Sequence, residues 1–527
     1  MLRPLRLPVA LGLPTVRWRK FLLLAVLLLA GTTHAFNMLR FPFYDNVEGI
    51  NMANAWSILH EGKLSPYTYT YDNPPMGWIQ LAVWLAIGSV IPAPETILPL
   101  GRVFMLVVHI LTVLMIYGVA RKLGLSRLYA ILAVLMFTLS PLATILQRRI
   151  LIENLMTLWV LISMYYALGD GRTLLHYAVS AFALGMAFLT HVAALCFFPA
   201  ILYVVYKHSH SAHRRFVLIL WLGIAISLFL GFPLQALLKD ELLPVGVPFG
   251  GSHPHVSLYG TQSMQLERIS AHEFLHSDSS FIVNLNRWMS FDEAASDRGF
   301  MIVGLSSAAL VLVSALFWRP DLRPLALLLV IYGLHLATLM RLFDPGIVPL
   351  LPLLAISIGV VAQTAAELIK QYIPHSVMRY PLYAVLAVPF VSVFGWTYVQ
   401  SPELYRVDQT RMQFDAVRWV SRHAPPDSLV VTDGYAFVDL RRALPNTHYY
   451  WVVDEDPQVR YEVMDNDWCN IDYLLTTPQM VADMDENRLH LNLTAHRGSV
   501  RLQMYENNGW PIYVREVRKH NCNIPFP

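Results

Sequence analysis

Two neighbouring stretches, Phe43-Tyr44-Asp45-Asn46-Val47-Glu48 and Thr70-Tyr71-Asp72-Asn73-Pro74-Pro75, decide how this sequence is interpreted. Together they place three carboxylates and a Pro-Pro break in one loop, directly after the first apolar segment of a strongly apolar chain. A charged side chain at the edge of a membrane is costly to keep unless it has a partner or a function. We therefore expect the chemistry of the protein in this loop.

The composition is that of a membrane protein. Hydrophobic residues make up 55% of the 527-residue chain and charged residues only 14%, whereas about a quarter of a soluble domain is charged. A net charge of +3 without a long Lys/Arg run gives no basis for a nucleic-acid partner. Three cysteines (Cys196, Cys469 and Cys522) are too few for a disulfide scaffold, and pairing of the last two stays open.

Apolar runs of spanning length predict about eleven transmembrane helices. They lie near 20–39, 99–119, 128–146, 150–168, 173–190, 192–206, 216–238, 300–318, 324–340, 346–368 and 381–399. The first run is interpreted as an uncleaved helix and not as a signal peptide. One further run, 76–91, contains two tryptophans and two glycines, and the topology depends on whether it crosses.

The distribution of basic residues decides that question through the positive-inside rule. If 76–91 lies on the outer face without crossing, the basic clusters near 121–127, 207–215, 319–323 and 370–379 all fall in the cytoplasm. If it crosses, all four fall outside. We therefore expect an integral protein of a bacterial plasma membrane with a cytoplasmic N-terminus. Its large outer loops are then 40–98 and 239–299.

The chain divides into a transmembrane domain, 1–399, and an extracytoplasmic α/β domain, 400–527. In the second domain, Gln413–His423 is patterned as an amphipathic helix, and Ser428–Thr432 and Ile471–Thr476 as buried strands. The segments 500–505 and 512–518 flank Asn507-Asn508-Gly509, which predicts a hairpin. A Gly-rich phosphate loop is missing from this sequence, so nucleotide binding has no support.

Within the first outer loop, Asp45 and Glu48 are three residues apart at the start of a helical segment. One of them can serve as a general base for an acceptor hydroxyl or amine. The alternative is a capping box with no chemistry. Asp72 and Asn73 precede Pro-Pro, which forces an extended chain and directs them toward whatever the loop covers. The alternative there is a turn that caps the next helix.

The predicted topology brings further polar residues to the same face. Arg148, Arg149 and Glu153 lie at one helix junction, where two arginines can hold a phosphate through forked hydrogen bonds. The alternative is an Arg–Glu pair that only anchors the helix end. Neither His191 nor Arg341 is by itself strong evidence for a phosphate site. The two His-x-His pairs, at 208–210 and 253–255, lack the ligand set of a metal site, and we expect no metal.

Taken together, these residues resemble the polyprenyl-phosphate-sugar-dependent membrane glycosyltransferases of GT-C type, above all the protein O-mannosyltransferases and aminoarabinose-lipid transferases. The similarity lies in five segments, in the family's order: Tyr44-Asp45-Asn46, Thr70–Gly77, Gln147–Glu153, Gly185–His191 and Pro349–Ala355. This sequence departs from the family at three positions. Asn46, Glu153 and His191 stand where the family has Glu, Asp and Lys.

The resemblance implies transfer of a monosaccharide from a polyprenyl- or dolichyl-phosphate donor to a glycan, lipid or protein acceptor at the outer face. It implies an inverting displacement without a cofactor. Asp45 would be the base, with Glu48 or Asp72 orienting the acceptor. The donor phosphate would be held by Arg148, Arg149, His191 and Arg341, with Asn46, Asn73 and Glu153 in support.

Two other functions stay open from the sequence. A transporter or flippase would line its pathway with the same charges. A degenerate scaffold would keep the fold without catalysis, and Asn46 gives that alternative some weight.

Overall fold

The computed structural model describes residues 17–88, 96–169, 173–247, 256–267, 280–289, 297–339, 344–373, 376–400, 402–486, 489–491, 498–507 and 510–519. The predictions made for Arg341 and Cys522 lie outside the described residues. Cys469 is disulfide-bonded, and Cys196 is a free thiol.

The structure is mostly helical. Its α-helices are Arg17–Ala35 (α1), Asn46–His60 (α2), Met76–Gly88 (α3), Leu98–Lys122 (α4), Arg127–Thr138 (α5), Pro141–Arg148 (α6), Ile152–Ala167 (α7), Leu174–Thr190 (α8), Phe198–His208 (α9), Arg214–Phe229 (α10), Gly231–Leu238 (α11), Leu258–Glu267 (α12), Ser280–Trp288 (α13), Arg298–Phe317 (α14), Arg323–Leu339 (α15), Leu350–Tyr372 (α16), Ser376–Gln400 (α17), Pro402–Arg406 (α18), Arg411–His423 (α19), Gly434–Ala443 (α20), Tyr450–Glu455 (α21) and Pro478–Glu486 (α22). Short 3₁₀ helices lie at Val192–Phe197, Pro320–Leu322, Asp344–Ile347 and Trp468–Asn470, and a π-helical turn at Val459–Val463.

By length and composition, five helical segments among the described residues can cross a membrane. They are Leu98–Lys122, Arg214–Leu238, Arg298–Phe317, Pro320–Ala337 and Leu350–Tyr372, and a sixth results if α5 and α6 form one bent span. Several other apolar helices are shorter than a full span, among them α3 and α8. The polytopic helical class is confirmed, whereas the count of eleven spans stays a prediction.

One span that the sequence predicts as continuous is broken in the structure. The axes of α5 and α6 differ by 66° at the break that contains Leu139 and Ser140. Pro141 disfavours helical backbone at the residue before it and begins the new helix at its first position. The Ser140 hydroxyl accepts the backbone N–H of Ala143 at 3.2 Å and caps α6. The break therefore sets the direction of the helix that ends at Arg148.

The C-terminal part of the chain is a small α/β domain, as predicted. Its strands are Val430–Thr432 (β1), Thr447–Tyr449 (β2), Tyr473–Thr476 (β3), Ser499–Asn507 (β4) and Trp510–Val517 (β5). The sheet order is β2-β1-β3-β5-β4, with β1 parallel to β2 and β3 and the other pairs antiparallel. The predicted amphipathic helix lies within α19, and β4 and β5 form the predicted hairpin. Asn508 and Gly509 lie outside the described residues.

The two parts of the chain share a hydrophobic core. Buried residues of α2, α3 and α4 belong to one cluster with residues of α19, α20 and the sheet. Helix α2 packs on α20 with the backbones in direct contact, since a Cβ added at Gly49 would overlap the carbonyl group of Gly434. This contact fixes the C-terminal domain against the start of α2, where the predicted acids lie.

Candidate active site

Asp45 caps helix α2 and also contacts an arginine. One oxygen, Oδ1, accepts the backbone N–H of Glu48 at 2.8 Å, so Asp45 is the N-cap of α2. The reciprocal half of a capping box is not formed, because the Glu48 carboxylate bonds to Arg102 and to the Ile150 N–H. The other oxygen, Oδ2, lies 3.3 Å from Arg149 Nη1, and both side chains are nearly buried, at 10% and 12% exposure. The cap fixes the carboxylate and leaves its second oxygen at the arginine.

Glu48 makes a fully buried ion pair that the sequence did not reveal. Its Oε1 lies 2.7 Å from Arg102 Nη2, and its Oε2 accepts from Arg102 Nε and from the backbone N–H of Ile150, both at 3.1 Å. Both side chains have 0% exposure. Arg102 also donates to the carbonyls of Met38, Pro42 and Phe43. The Glu48 carboxylate is thus occupied by Arg102 and the Ile150 N–H, and its predicted part in orienting the acceptor stays a prediction.

Arg148 is likewise saturated by the protein. Its guanidinium has five N–H donors, and they bond to five carbonyl oxygens at 2.7–3.4 Å. These belong to Thr33, His34, Phe36, Phe41 and Leu404. The side chain is fully buried. All five N–H donors of Arg148 are therefore bonded within the protein, which the sequence did not reveal, and its contact with a phosphate stays a prediction.

Arg149 and Glu153 keep unsatisfied atoms. Arg149 Nε and Glu153 Oε2 are both buried without a hydrogen-bond partner. These two atoms, one donor and one acceptor, lie at the same helix junction and can bind polar groups of a ligand. An anionic oxygen suits the Nε–H of Arg149, and a hydroxyl suits the Glu153 carboxylate.

His191 joins this group from the end of α8. Its Nδ1 accepts the backbone N–H of Ala193 at 3.1 Å, so the neutral ring carries its proton on Nε2. Nε2 faces Glu153 Oε1 at 3.7 Å. The structure thus connects Asp45 to Arg149 and Glu153 to His191, four of the residues that the sequence predicted.

The second segment of the first loop contacts described residues near Glu241 and Gln262. Asp72 is exposed, and its Oδ2 accepts the hydroxyl of Thr70 at 2.6 Å. Asn73 Oδ1 is buried without a partner. Gln262 donates to the Tyr71 carbonyl at 3.0 Å, and the Tyr71 hydroxyl donates to Glu241. These bonds hold the segment that carries Asp72 and Asn73 in place.

The C-terminal domain contributes an acid of its own. Asp433 is fully buried, and its Oδ2 accepts the Thr477 hydroxyl at 2.6 Å while its Oδ1 has no partner. Burial raises the pKa of Asp433 to about 7, although the hydrogen bond from Thr477 opposes the shift and the nearby charge of Asp45 adds to it. Asp433 is therefore largely protonated below neutral pH and close enough to Asp45 to sense its charge.

Asn46, which follows Asp45, is used to bind that domain. Its Oδ1 accepts the backbone N–H of Gly434 at 3.0 Å, and its Nδ2 donates to the Tyr450 hydroxyl at 3.3 Å. The Tyr450 hydroxyl in turn donates to Asp483 at 2.5 Å. An amide can both donate and accept, whereas an ionised glutamate at this position could only accept.

Comparison with known proteins identifies the fold. In sequence, no protein-family model and no curated protein matches this chain. In structure it is similar to the oligosaccharyltransferase of Archaeoglobus fulgidus tethered with an acceptor peptide, at 10% identity and a TM-score of 0.56, over 95% of this chain and 74% of that one. It is also similar to ArnT from Cupriavidus metallidurans bound to undecaprenyl phosphate, at 14% identity and a TM-score of 0.50, over 94% and 97% of the two chains.

This chain has the GT-C fold. A third match is the archaeal enzyme AglB in complex with an inhibitory peptide and a dolichol-phosphate, at 11% identity and a TM-score of 0.54 over 97% of this chain and 76% of that one. The expected resemblance to GT-C proteins is thus confirmed at the level of the fold.

Within the GT-C fold, sequence reasoning missed two residues that border the site. Arg102 had a usable signal, since a charged residue inside an apolar span usually has a buried partner or a function. Asp433 had none, because it lies in the C-terminal domain far from Asp45 in sequence. Among the described residues, no group of three His, Cys, Asp or Glu side chains is arranged to hold a metal ion. Metal independence stays a prediction.

Proposed function

We propose that this chain is a glycosyltransferase that moves a monosaccharide from a polyprenyl- or dolichyl-phosphate-linked donor to an acceptor at the extracytoplasmic face of the membrane. The GT-C fold supports the general reaction. The observation that carries the proposal is the contact of Asp45 with Arg149, whose Nε–H is buried without a partner. The carboxylate can act as the base, and the unpaired N–H of the adjacent arginine can bind the leaving phosphate.

The lipid part of the donor is proposed from the neighbours. The similar structures include one with undecaprenyl phosphate and one with a dolichol-phosphate. An arginine at the edge of the membrane suits the phosphate of such a lipid, since a guanidinium binds phosphate oxygens with two parallel hydrogen bonds.

In the proposed reaction, Asp45 Oδ2 removes the proton from the acceptor hydroxyl or amine. The freed electron pair forms the new bond to the anomeric carbon, and the bond from that carbon to the phosphate oxygen breaks on the opposite face. The configuration inverts, and the phosphate leaves with the bonding pair. Arg149 stabilises the charge that develops on it, which is worth most in a site from which water is excluded.

We assign the other predicted residues roles that suit their chemistry. His191 Nε2–H would bind a sugar hydroxyl or a phosphate oxygen, and the Glu153 carboxylate would accept a sugar hydroxyl. Glu48 holds Arg102, and Arg148 holds the backbone, so we assign neither a contact with substrate. Arg341 stays a predicted phosphate ligand.

The experiment uses purified protein in proteoliposomes with a panel of radiolabelled polyprenyl-phosphate monosaccharides and cell-envelope glycan, lipid and protein fractions as acceptors. Asp45→Asn should lower transfer at least about 100-fold, because the base is lost, and should leave donor binding unchanged. Asp415→Asn, a half-buried acid on α19 that pairs with two exposed arginines, is the matched control.

Two outcomes contradict the proposal. Transfer at the wild-type rate by the Asp45→Asn protein removes Asp45 from the mechanism. Movement of labelled lipid or sugar across the bilayer without a covalent product favours the transporter or flippase instead.

A further inference from the structure

The segment that carries Asp45 is bonded along its length to the start of the C-terminal domain. Asn37 Nδ2 donates to the carbonyls of Leu404 and Val407, at 3.1 and 2.8 Å. The backbone N–H of Gln409 donates to the Arg40 carbonyl at 2.8 Å, and the Thr410 hydroxyl to the Leu39 carbonyl at 3.1 Å. Residues 37–40 therefore follow residues 404–410 through a continuous series of hydrogen bonds.

The series continues to the residue before Asp45. The buried amide of Gln413 bonds to both backbone groups of Tyr44: Oε1 accepts the N–H at 2.8 Å, and Nε2 donates to the carbonyl at 2.7 Å. Gln409 Oε1 accepts the N–H of Phe43 at 3.1 Å. A side-chain amide that satisfies both backbone groups of one residue fixes the orientation of that peptide segment.

The residue after Asp45 is held by the same domain. The side chain of Asn46 bonds to the backbone N–H of Gly434 and to the Tyr450 hydroxyl. A Cβ at Gly49 or at Gly434 would clash with the facing residue, so α2 and α20 can pack this closely only where the two glycines face each other. Asp45 thus lies between two residues whose polar groups are bonded to the C-terminal domain.

We infer that the C-terminal domain is a positioning element of the active site, and that Gln413 and Asn46 hold Asp45 in the orientation its reaction needs. This inference rests on the proposed role of Asp45 as the base. Gln413 and Asn46 touch neither donor nor acceptor in this scheme; they act through the backbone of residues 43–46. A displacement of about 1 Å at a reacting group can lower a rate by about 100-fold.

The test compares Gln413→Ala with Gln503→Ala, a matched control on the exposed outer strand β4. Two quantities are measured in the full-length protein: amide hydrogen exchange of the peptide covering residues 41–49, and kcat and KM for the lipid-linked donor. Gln413→Ala should increase exchange in that peptide and lower kcat about 10- to 100-fold, with the donor KM unchanged. Gln503→Ala should change neither.

Gln413→Glu keeps the acceptor for the Tyr44 N–H and loses the donor to its carbonyl, so an intermediate effect is expected. If Gln413→Ala does not fold, Gln413→Glu takes its place in the same two measurements. Wild-type exchange in both variants overturns the inference, and so does faster exchange with a wild-type kcat. If the wild-type protein transfers no sugar, the proposed function fails separately, because faster exchange in the variants still supports the positioning of residues 43–46.

Discussion

Two arginine–carboxylate pairs lie beside the first turn of α2, and they differ in how fully they are satisfied. Arg102 and Glu48 are completely buried, and all five N–H donors of Arg102 are bonded to protein oxygens. Arg149 and Asp45 are slightly exposed and 3.3 Å apart, and Arg149 Nε has no partner. All donors of the first pair are bonded within the protein. The second pair has an unpaired N–H, which our proposal assigns to the substrate.

The same difference separates two adjacent residues of one helix junction. Arg148 gives all its donors to backbone carbonyls of the chain segments around it, whereas Arg149 Nε is buried without a partner. A pair of arginines in sequence is thus no guide to which of them binds an anion. Hydrogen-bond satisfaction distinguishes them, and the following predictions test that distinction.

The largest expected effect is on stability, at the pair of Glu48 and Arg102. Glu48→Gln leaves the Arg102 charge buried without its partner, which should lower the free energy of unfolding by about 3–5 kcal/mol. Asp45→Asn should cost much less, because an asparagine oxygen can still cap α2 and the 3.3 Å contact with Arg149 is not fully buried. Thermal unfolding in detergent measures both. An equal loss of stability in the two variants would show that the pairs do not differ in the way described.

The next effect is on donor binding, at the junction. Arg149→Ala should raise the dissociation constant for the lipid-linked donor about 10-fold or more, since a charge-assisted hydrogen bond to phosphate is lost. Arg148→Ala should lower the unfolding temperature instead, because five carbonyls lose their donors. Binding of labelled donor to detergent-solubilised protein separates the two. A loss of affinity in Arg148→Ala at unchanged stability would reverse the assignment.

A separate prediction concerns pH and the buried acid Asp433, which has no arginine partner in the described structure. Its pKa is about 7 in the folded state against a usual value of 3.8. Between these values the folded state keeps a proton that the unfolded state has released, so the free energy of unfolding should fall as pH rises from about 4 to 7. Asp433→Asn should flatten this dependence, as measured by thermal unfolding at several pH values. A variant with the same pH dependence as wild type would assign the effect to another group.

Much of the fold followed from local sequence patterns. Runs of apolar residues predicted the helical membrane class, and period and turn residues predicted α19, β1, β3 and the β4–β5 hairpin. The break between α5 and α6 was missed although Ser140-Pro141 marks it, because the apolar run continues through those residues. A run of apolar residues predicts that a segment is buried, but it does not predict the direction of the helix axis.

The structure brings some of the predicted site residues together, and their roles stay predictions. The sequence drew attention to the loop with Asp45 and to the junction with Arg149 and Glu153 because charges are rare in this chain and expensive near a membrane. The roles of Glu48 and Arg148 could not be predicted in the same way. Glu48 is occupied by Arg102, and Arg148 by carbonyls as distant in sequence as that of Leu404.

The sequence by itself determined that this is a membrane protein with a C-terminal α/β domain and that its unusual charges cluster in a few segments. Only the tertiary structure decided which of those charges are satisfied and that the C-terminal domain holds the residues on either side of Asp45. The physical reason is the distance along the sequence over which each interaction acts. Hydrophobic periodicity is a property of neighbouring residues, whereas a hydrogen bond to a buried side chain depends on partners hundreds of residues away, as with Tyr44 and Gln413.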